Sequence, residues 1–166
     1  MPNIESQLLC EADGVPNNPK LPLLVYSDAF PDGVDSSDIE SCFSRNGWQG
    51  IWVNGVFSYH HFHSNAHEVL GCFSGSAQVQ FGGASGPVLS ITAGEAVLIP
   101  AGVGHCKIES SPDFGVVGAY PPGPANDLYQ ESEPNLENLI ENIGSVPIPE
   151  IDPVFGKTGP MLEHWT

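Results

Sequence analysis

His61, His63, Glu68 and His105 are the residues whose types and spacing can do chemistry in this chain. Three imidazoles and one carboxylate are nitrogen and oxygen donors of intermediate softness. They suit a divalent transition metal: Fe(II), Mn(II), Ni(II), Zn(II) or Cu(II). A closed structural zinc site would draw on thiolates and leave no open position. Cys106 follows His105 directly, so it falls on the opposite face of any strand that carries both.

Strands must position these groups. Successive side chains of a strand point to opposite faces, so His61 and His63 share one face while His60 and Phe62 share the other. A hairpin return brings Glu68 back to the first face, with Leu70 and Cys72 following it inward and His67 turned away. The fourth ligand must come from elsewhere. The segment Ile99-Pro100-Ala101-Gly102-Val103-Gly104-His105 supplies a strand, a turn and a return strand that begins at a histidine.

The same stretch carries a resemblance. Gly55, His61, His63, Glu68 and Gly75 fit the first of the two signature motifs of the cupin superfamily, and Gly94, Pro100, Gly102 and His105 fit the second. The second motif usually ends in Asn four residues after its histidine, where this chain has Glu109; that Asn is not a metal ligand in the family. The wider sequence resembles the YjlB-type bacterial cupins through residues 19–26, 46–48, 59–64, 67–71 and 113–121. The resemblance implies an all-β fold, the double-stranded β-helix (jelly-roll) barrel, with a few peripheral helices. It also implies a metal inside the barrel on His61, His63, Glu68 and His105, with positions open for water, substrate or dioxygen.

The rest of the pattern agrees with many short strands. Nineteen Gly and sixteen Pro are spread along 166 residues, the habit of turn-rich β folds. Strands are predicted over 21–26, 51–57, 58–63, 67–74, 77–81, 87–92, 96–99, 104–108 and 114–120. Residues 51–57 and 58–63 read as a hairpin around Asn54-Gly55, and 1–20 as polar turns. A helix over 35–46, capped by Asp35 or Ser36 and stopped by Gly47, should cover an edge or mouth of the barrel. A second helix follows Ser132, with apolar residues at helical spacing and Gly144 as its C-cap. The organisation expected is one domain: 1–50 packing on the barrel, 51–121 forming its core, and 122–166 giving a helix and an extended tail.

Composition excludes some partners. Twenty acidic residues against four basic ones give a formal charge of −16, which repels nucleic acid and anionic membranes. Four scattered cysteines make no CxxC pair, the N-terminus lacks the pattern of a signal peptide, and no apolar run is long enough to span a membrane. The cytoplasm is the expected compartment, and the cupin resemblance with an apolar tail suggests a homodimer. His60 and His67 are expected to pack on the outer face rather than in the site. Phe57, Tyr59, Trp48, Trp52 and Tyr120 either wall a pocket or, for most of them, fill the core. Cys72 reads as a buried thiol and Glu109 as a solvated carboxylate. No serine-nucleophile motif is present. Two functions remain open: a metalloenzyme acting on a small molecule, with dioxygenase-type oxidation ahead of isomerase or decarboxylase chemistry, or a cupin that binds or senses a metal or small ligand.

Overall fold

Eleven strands build two facing antiparallel sheets in the computed structural model, which describes residues 3–166. In chain order the elements are β1 (Ile4–Leu9), β2 (Asn18–Tyr26), α1 (Ser36–Arg45), β3 (Gln49–Asn54), β4 (His61–Phe62), β5 (Glu68–Ser74) and β6 (Ser76–Phe81). They continue with β7 (Val88–Thr92), β8 (Ala96–Ile99), β9 (His105–Ser110), β10 (Gly115–Tyr120), β11 (Tyr129–Gln130), α2 (Leu136–Ser145) and α3 (Met161–His164). One sheet has the order β1-β2-β8-β5-β10-β3, and the other β11-β4-β9-β6-β7. The chain passes from one sheet to the other between β3 and β4, β4 and β5, and again at β6, β8, β9, β10 and β11. That repeated crossing is the double-stranded β-helix.

Alternation decides what lies between the sheets. Leu23, Val25, Leu70, Cys72, Val97 and Val116 of the larger sheet meet Ala77, Val79, Phe81 and Ile91 of the smaller one. Their strand neighbours Leu24, Tyr26, Val69, Leu98 and Val117 point outward, so the larger sheet needs a second cover. Helix α1 supplies part of it. Asp35 caps the helix by accepting from the Asp38 N–H (2.8 Å), and the Asp38 carboxylate accepts in return from the Asp35 N–H (3.2 Å). Ile39 and Phe43 are fully buried on the sheet, worth roughly 1.5–3 kcal/mol each. They approach so closely because residue 71 is glycine: a Cβ there would lie 2.8 Å from Ile39 and 3.0 Å from Phe43. The helix therefore lies on the sheet's outer face, across β5, β10 and the edge strand β3, and not over a mouth of the barrel.

The C-terminal tail completes this cover. Trp48 Nε1 donates to the Ile151 carbonyl (3.0 Å), Asn46 Nδ2 to that of Pro153 (2.7 Å), and Trp165 Nε1 to that of Pro22 (2.8 Å). Met161 and Trp165 are buried against the sheet. Helix α2 lies on the other sheet, where Leu139 packs with Val15 and Phe62. It continues through Gly144 to Ser145, so Gly144 is not its C-cap. Strand β1, within a segment expected to be turns, is held by pairing to β2, and its burial pattern shows little of the alternation that marks a half-buried strand. Among the described residues no helix is long and apolar enough to cross a membrane.

Candidate metal centre

Two sheets, not one hairpin, bring the site together. His61 lies on β4 directly opposite His105 on β9, and His63 follows just after β4. Glu68 opens β5 in the facing sheet. Residues 51–57 and 58–63 likewise do not pair with each other: β3 pairs with β10, and β4 with β9 and β11. The Asn54-Gly55 signal marks a crossing between sheets. Strict alternation still selects the right faces, because the inner faces of the two sheets confront each other.

All four residues are buried, at 4, 7, 2 and 2% exposure for His61, His63, Glu68 and His105. Donor atoms of His63, Glu68 and His105 all lie within 4.8 Å of one another. His61 stands beside this group, its ring centroid 4.0 Å from that of His105. Turn geometry sets His105: Gly102, at φ 90°, makes the bend between β8 and β9, and a Cβ there would fall 2.5 Å from the Asn17 carbonyl oxygen.

Hydrogen bonding fixes each ring. Nδ1 of His61 faces the Tyr59 carbonyl (2.9 Å), Nδ1 of His105 that of Val103 (3.1 Å), and Nδ1 of His63 that of Asp127. A carbonyl only accepts, so each Nδ1 carries a proton, and a ring that is neutral offers its Nε2 lone pair. Two of those lone pairs point at one carboxylate oxygen: Glu68 Oε1 is 3.1 Å from His105 Nε2 and 3.5 Å from His63 Nε2. Acceptors converging on an acceptor need a cation between them, either protons on the rings or a metal ion. The donor set fits a divalent metal, and no thiolate joins it.

The electrostatics agree. Burial would raise the Glu68 carboxyl, but His63 and His105 hold it well below the usual range. Burial opposes a charge on His63, yet the Glu68 carboxylate outweighs it and pushes the imidazole up. For His61 burial prevails, with His105 adding to it, and the ring is pushed down to about 3. Glu68 is therefore an anion and His61 a neutral base at pH 7.

A cavity of about 540 Å³ opens onto these four groups. Trp52, Phe57, Leu70, Tyr120 and Leu128 form apolar wall, and Lys107 and Asn126 are among its polar lining. The Trp52 indole N–H donates to the Tyr120 hydroxyl (3.0 Å). Burial, and then the Glu68 charge, push that hydroxyl above its ordinary range. Of the aromatics expected mostly in the core, Trp48 is buried there, whereas Trp52, Phe57 and Tyr120 line the cavity. Lys107 escaped sequence reasoning although its signal was present: it lies two residues after His105 and so shares its face. The Asp127 carbonyl that orients His63 had no signal in the sequence.

The remaining candidates lie elsewhere. His67 is fully buried on the outer face, accepting at Nδ1 from the Ala101 N–H (2.8 Å) and donating from Nε2 to the Pro147 carbonyl (3.1 Å). His60 also points away from the cavity and contributes to the field at Asp13. Cys72 is a buried thiol raised to about 11 by burial, and Glu109 is exposed.

No family model matches the chain. Protein YjlB of Bacillus subtilis (strain 168), itself uncharacterized, is 44% identical over 151 residues, spanning 91% of this chain and 90% of that protein. This chain belongs to the YjlB family of cupins. Among solved structures, a Klebsiella pneumoniae protein with a double-stranded beta-helix domain is 16% identical over 80% of each chain, with a TM-score of 0.41. Procruciferin, an 11S globulin from Brassica napus, is 16% identical with a TM-score of 0.40; the match covers 71% of this YjlB-family chain and 29% of the globulin. Likeness at those scores adds nothing to the strand order, which defines the fold by itself.

Proposed function

We propose that this YjlB-family cupin is a metalloenzyme that oxidises a small molecule with dioxygen. One observation carries the reading: buried imidazoles, held through Nδ1 by backbone carbonyls, turn Nε2 toward an ionised carboxylate beside an open cavity. Two imidazoles and one carboxylate are the donor set of non-haem iron(II) oxygenases. His63, Glu68 and His105 would hold the metal, with His61 as the fourth ligand. When bound, the ion supplies Lewis-acid and redox chemistry toward dioxygen and substrate.

The chain's own groups do the rest. The Asp127, Val103 and Tyr59 carbonyls keep the three rings in the ligating tautomer. Trp52, Phe57 and Leu128 displace water from the substrate's apolar part. The Tyr120 hydroxyl stays protonated at pH 7 and can donate a hydrogen bond to a bound oxygen atom. Elemental analysis of protein purified without an affinity tag tests the reading, for wild type and for His61→Ala and His105→Ala. Near-stoichiometric iron, lost in both variants, with oxygen uptake by the loaded wild type, is the expected result. No metal in wild type after anaerobic reconstitution with Fe(II) would overturn it; bound metal without oxygen uptake would leave a binding protein.

A further inference from the structure

Lys107 is the one Lys or Arg side chain in the lining of the cavity that holds the histidine cluster. Lys107 pairs with Val79 in the β6–β9 ladder, and Val79 is fully buried between the sheets, so Lys107 faces the interior as His105 does. It is one of four Lys and Arg residues in the whole chain and the only one in the cavity lining. Lack of an ion pair does not single it out, since none of the four has a carboxylate partner within 4 Å among the described residues. Position does. The only carboxylate in the lining is Glu68, which the histidines already engage.

Geometry then limits the ligand. Two residues of strand separate Lys107 from His105, about 7 Å along β9. Trp52, Phe57 and Leu128 give the same cavity apolar wall, while Asn126 and Tyr120 offer neutral polar contacts. From this arrangement, and resting on the proposed metalloenzyme reading, we infer that the substrate is a small carboxylic acid with an apolar or aromatic body. Its carboxylate is held by Lys107 and its reactive carbon is directed toward the histidine cluster. The net charge of −16 opposes an approaching anion at long range, but that field is screened beyond about 8 Å at physiological salt. A charge-assisted hydrogen bond inside the cavity is not.

The test uses 3-phenylpropanoate and its neutral isostere 3-phenylpropanamide as probes, titrated calorimetrically into metal-loaded protein. Wild type should prefer the acid by about 10- to 100-fold. Lys107→Met should abolish the preference, and Lys107→Arg should retain most of it. Equal binding of both probes to wild type, a preference that survives Lys107→Met, or binding of neither probe at millimolar concentration would each overturn the inference. Elemental analysis of the same samples separates it from the metal reading. Full metal content without acid preference defeats the substrate class alone. A Lys107-dependent preference in protein that cannot be loaded defeats the metal alone.

Discussion

Glu68 and Asp152 are both carboxylates buried to 2% exposure or less, yet their surroundings are opposite. Asp152, where the C-terminal tail meets the larger sheet, is surrounded by donors. Its Oδ2 accepts from the Tyr26 hydroxyl (2.7 Å) and the Met161 N–H (3.1 Å), and its Oδ1 from the N–H groups of Val154 (2.8 Å) and Phe155 (3.0 Å). Glu68 faces ring nitrogens whose partner nitrogens have already given their protons to carbonyls. The histidines divide in the same way. His67 has one donor and one acceptor, each matched, whereas the Nε2 atoms of His63 and His105 can meet Glu68 only through a cation, a ring proton or a metal ion. A buried charge with a full shell of donors holds a fold together; Glu68, reached by the Tyr120 hydroxyl and two imidazole nitrogens, leaves room for a cation.

Asp152→Ala should give the largest effect. It leaves one hydroxyl and three backbone N–H groups without their acceptor, at about 1 kcal/mol each or more. A loss of about 4 kcal/mol in urea unfolding is expected, with metal content unchanged in the protein that remains folded. The matching change in the site should behave oppositely. Glu68→Gln removes the anionic ligand while its amide can donate to the free Nε2 atoms. Metal affinity in chelator competition should fall at least about 100-fold, and the metal-free protein should be as stable as wild type or more so. A metal-free Glu68→Gln protein destabilised as much as Asp152→Ala would erase the distinction between the two carboxylates.

His67 sharpens the comparison through pH. Burial pushes its ring down to about 4 from the ordinary 6.5. Between those values the unfolded chain holds more protons than the folded one, so acid favours unfolding. The stabilisation is complete above pH 6.5 and is lost as the pH falls toward 4. The loss between pH 7 and pH 5 is about 2 kcal/mol. Protonated, Nδ1 would also turn from acceptor to donor against the Ala101 N–H. His67→Gln, compared with wild type in the metal-loaded state, should flatten the stability profile over that interval. An unchanged slope would mean that His67 does not couple the tail to the barrel.

The site was more legible than the scaffold for a physical reason. A strand period of two sorts His61, His63, Glu68 and Leu70 onto inner faces whichever strands pair, so their meeting at one cavity survives an error in pairing. The pairing itself depends on contacts distant in sequence, and Asn54-Gly55 cannot tell a hairpin from a passage between sheets. The place of α1 was hidden similarly: its apolar stripe says that it packs, whereas the docking surface is created by the absent side chain of Gly71. Strand β1 and α3 carry weak patterns because tertiary partners hold them, β2 for the first and Asp152 for the second. Glu68 stands out by its spacing from His61 and His63, whereas the four donors around Asp152 come from distant or irregular segments and have no sequence signature.

The smallest expected effect separates shaping the cavity from binding the metal. Gly118 lies opposite Trp52 in the β10–β3 ladder, and a Cβ on it would fall 2.1 Å from the indole. Gly118→Ala must therefore displace Trp52 and break its hydrogen bond to the Tyr120 hydroxyl. The ring can move into the adjoining cavity, so the cost should sit at the low end of overpacking, about 1 kcal/mol. Metal content should not change, because no ligand touches Gly118. Tryptophan emission should shift, and 3-phenylpropanoate should bind several-fold more weakly. Unaltered probe binding with a shifted emission would show that Trp52 is packing rather than part of the ligand's wall, leaving Phe57 and Leu128 to form it. Loss of metal would instead tie the indole to the histidine cluster, through Tyr120 and its contact with the His63 ring at 5.5 Å.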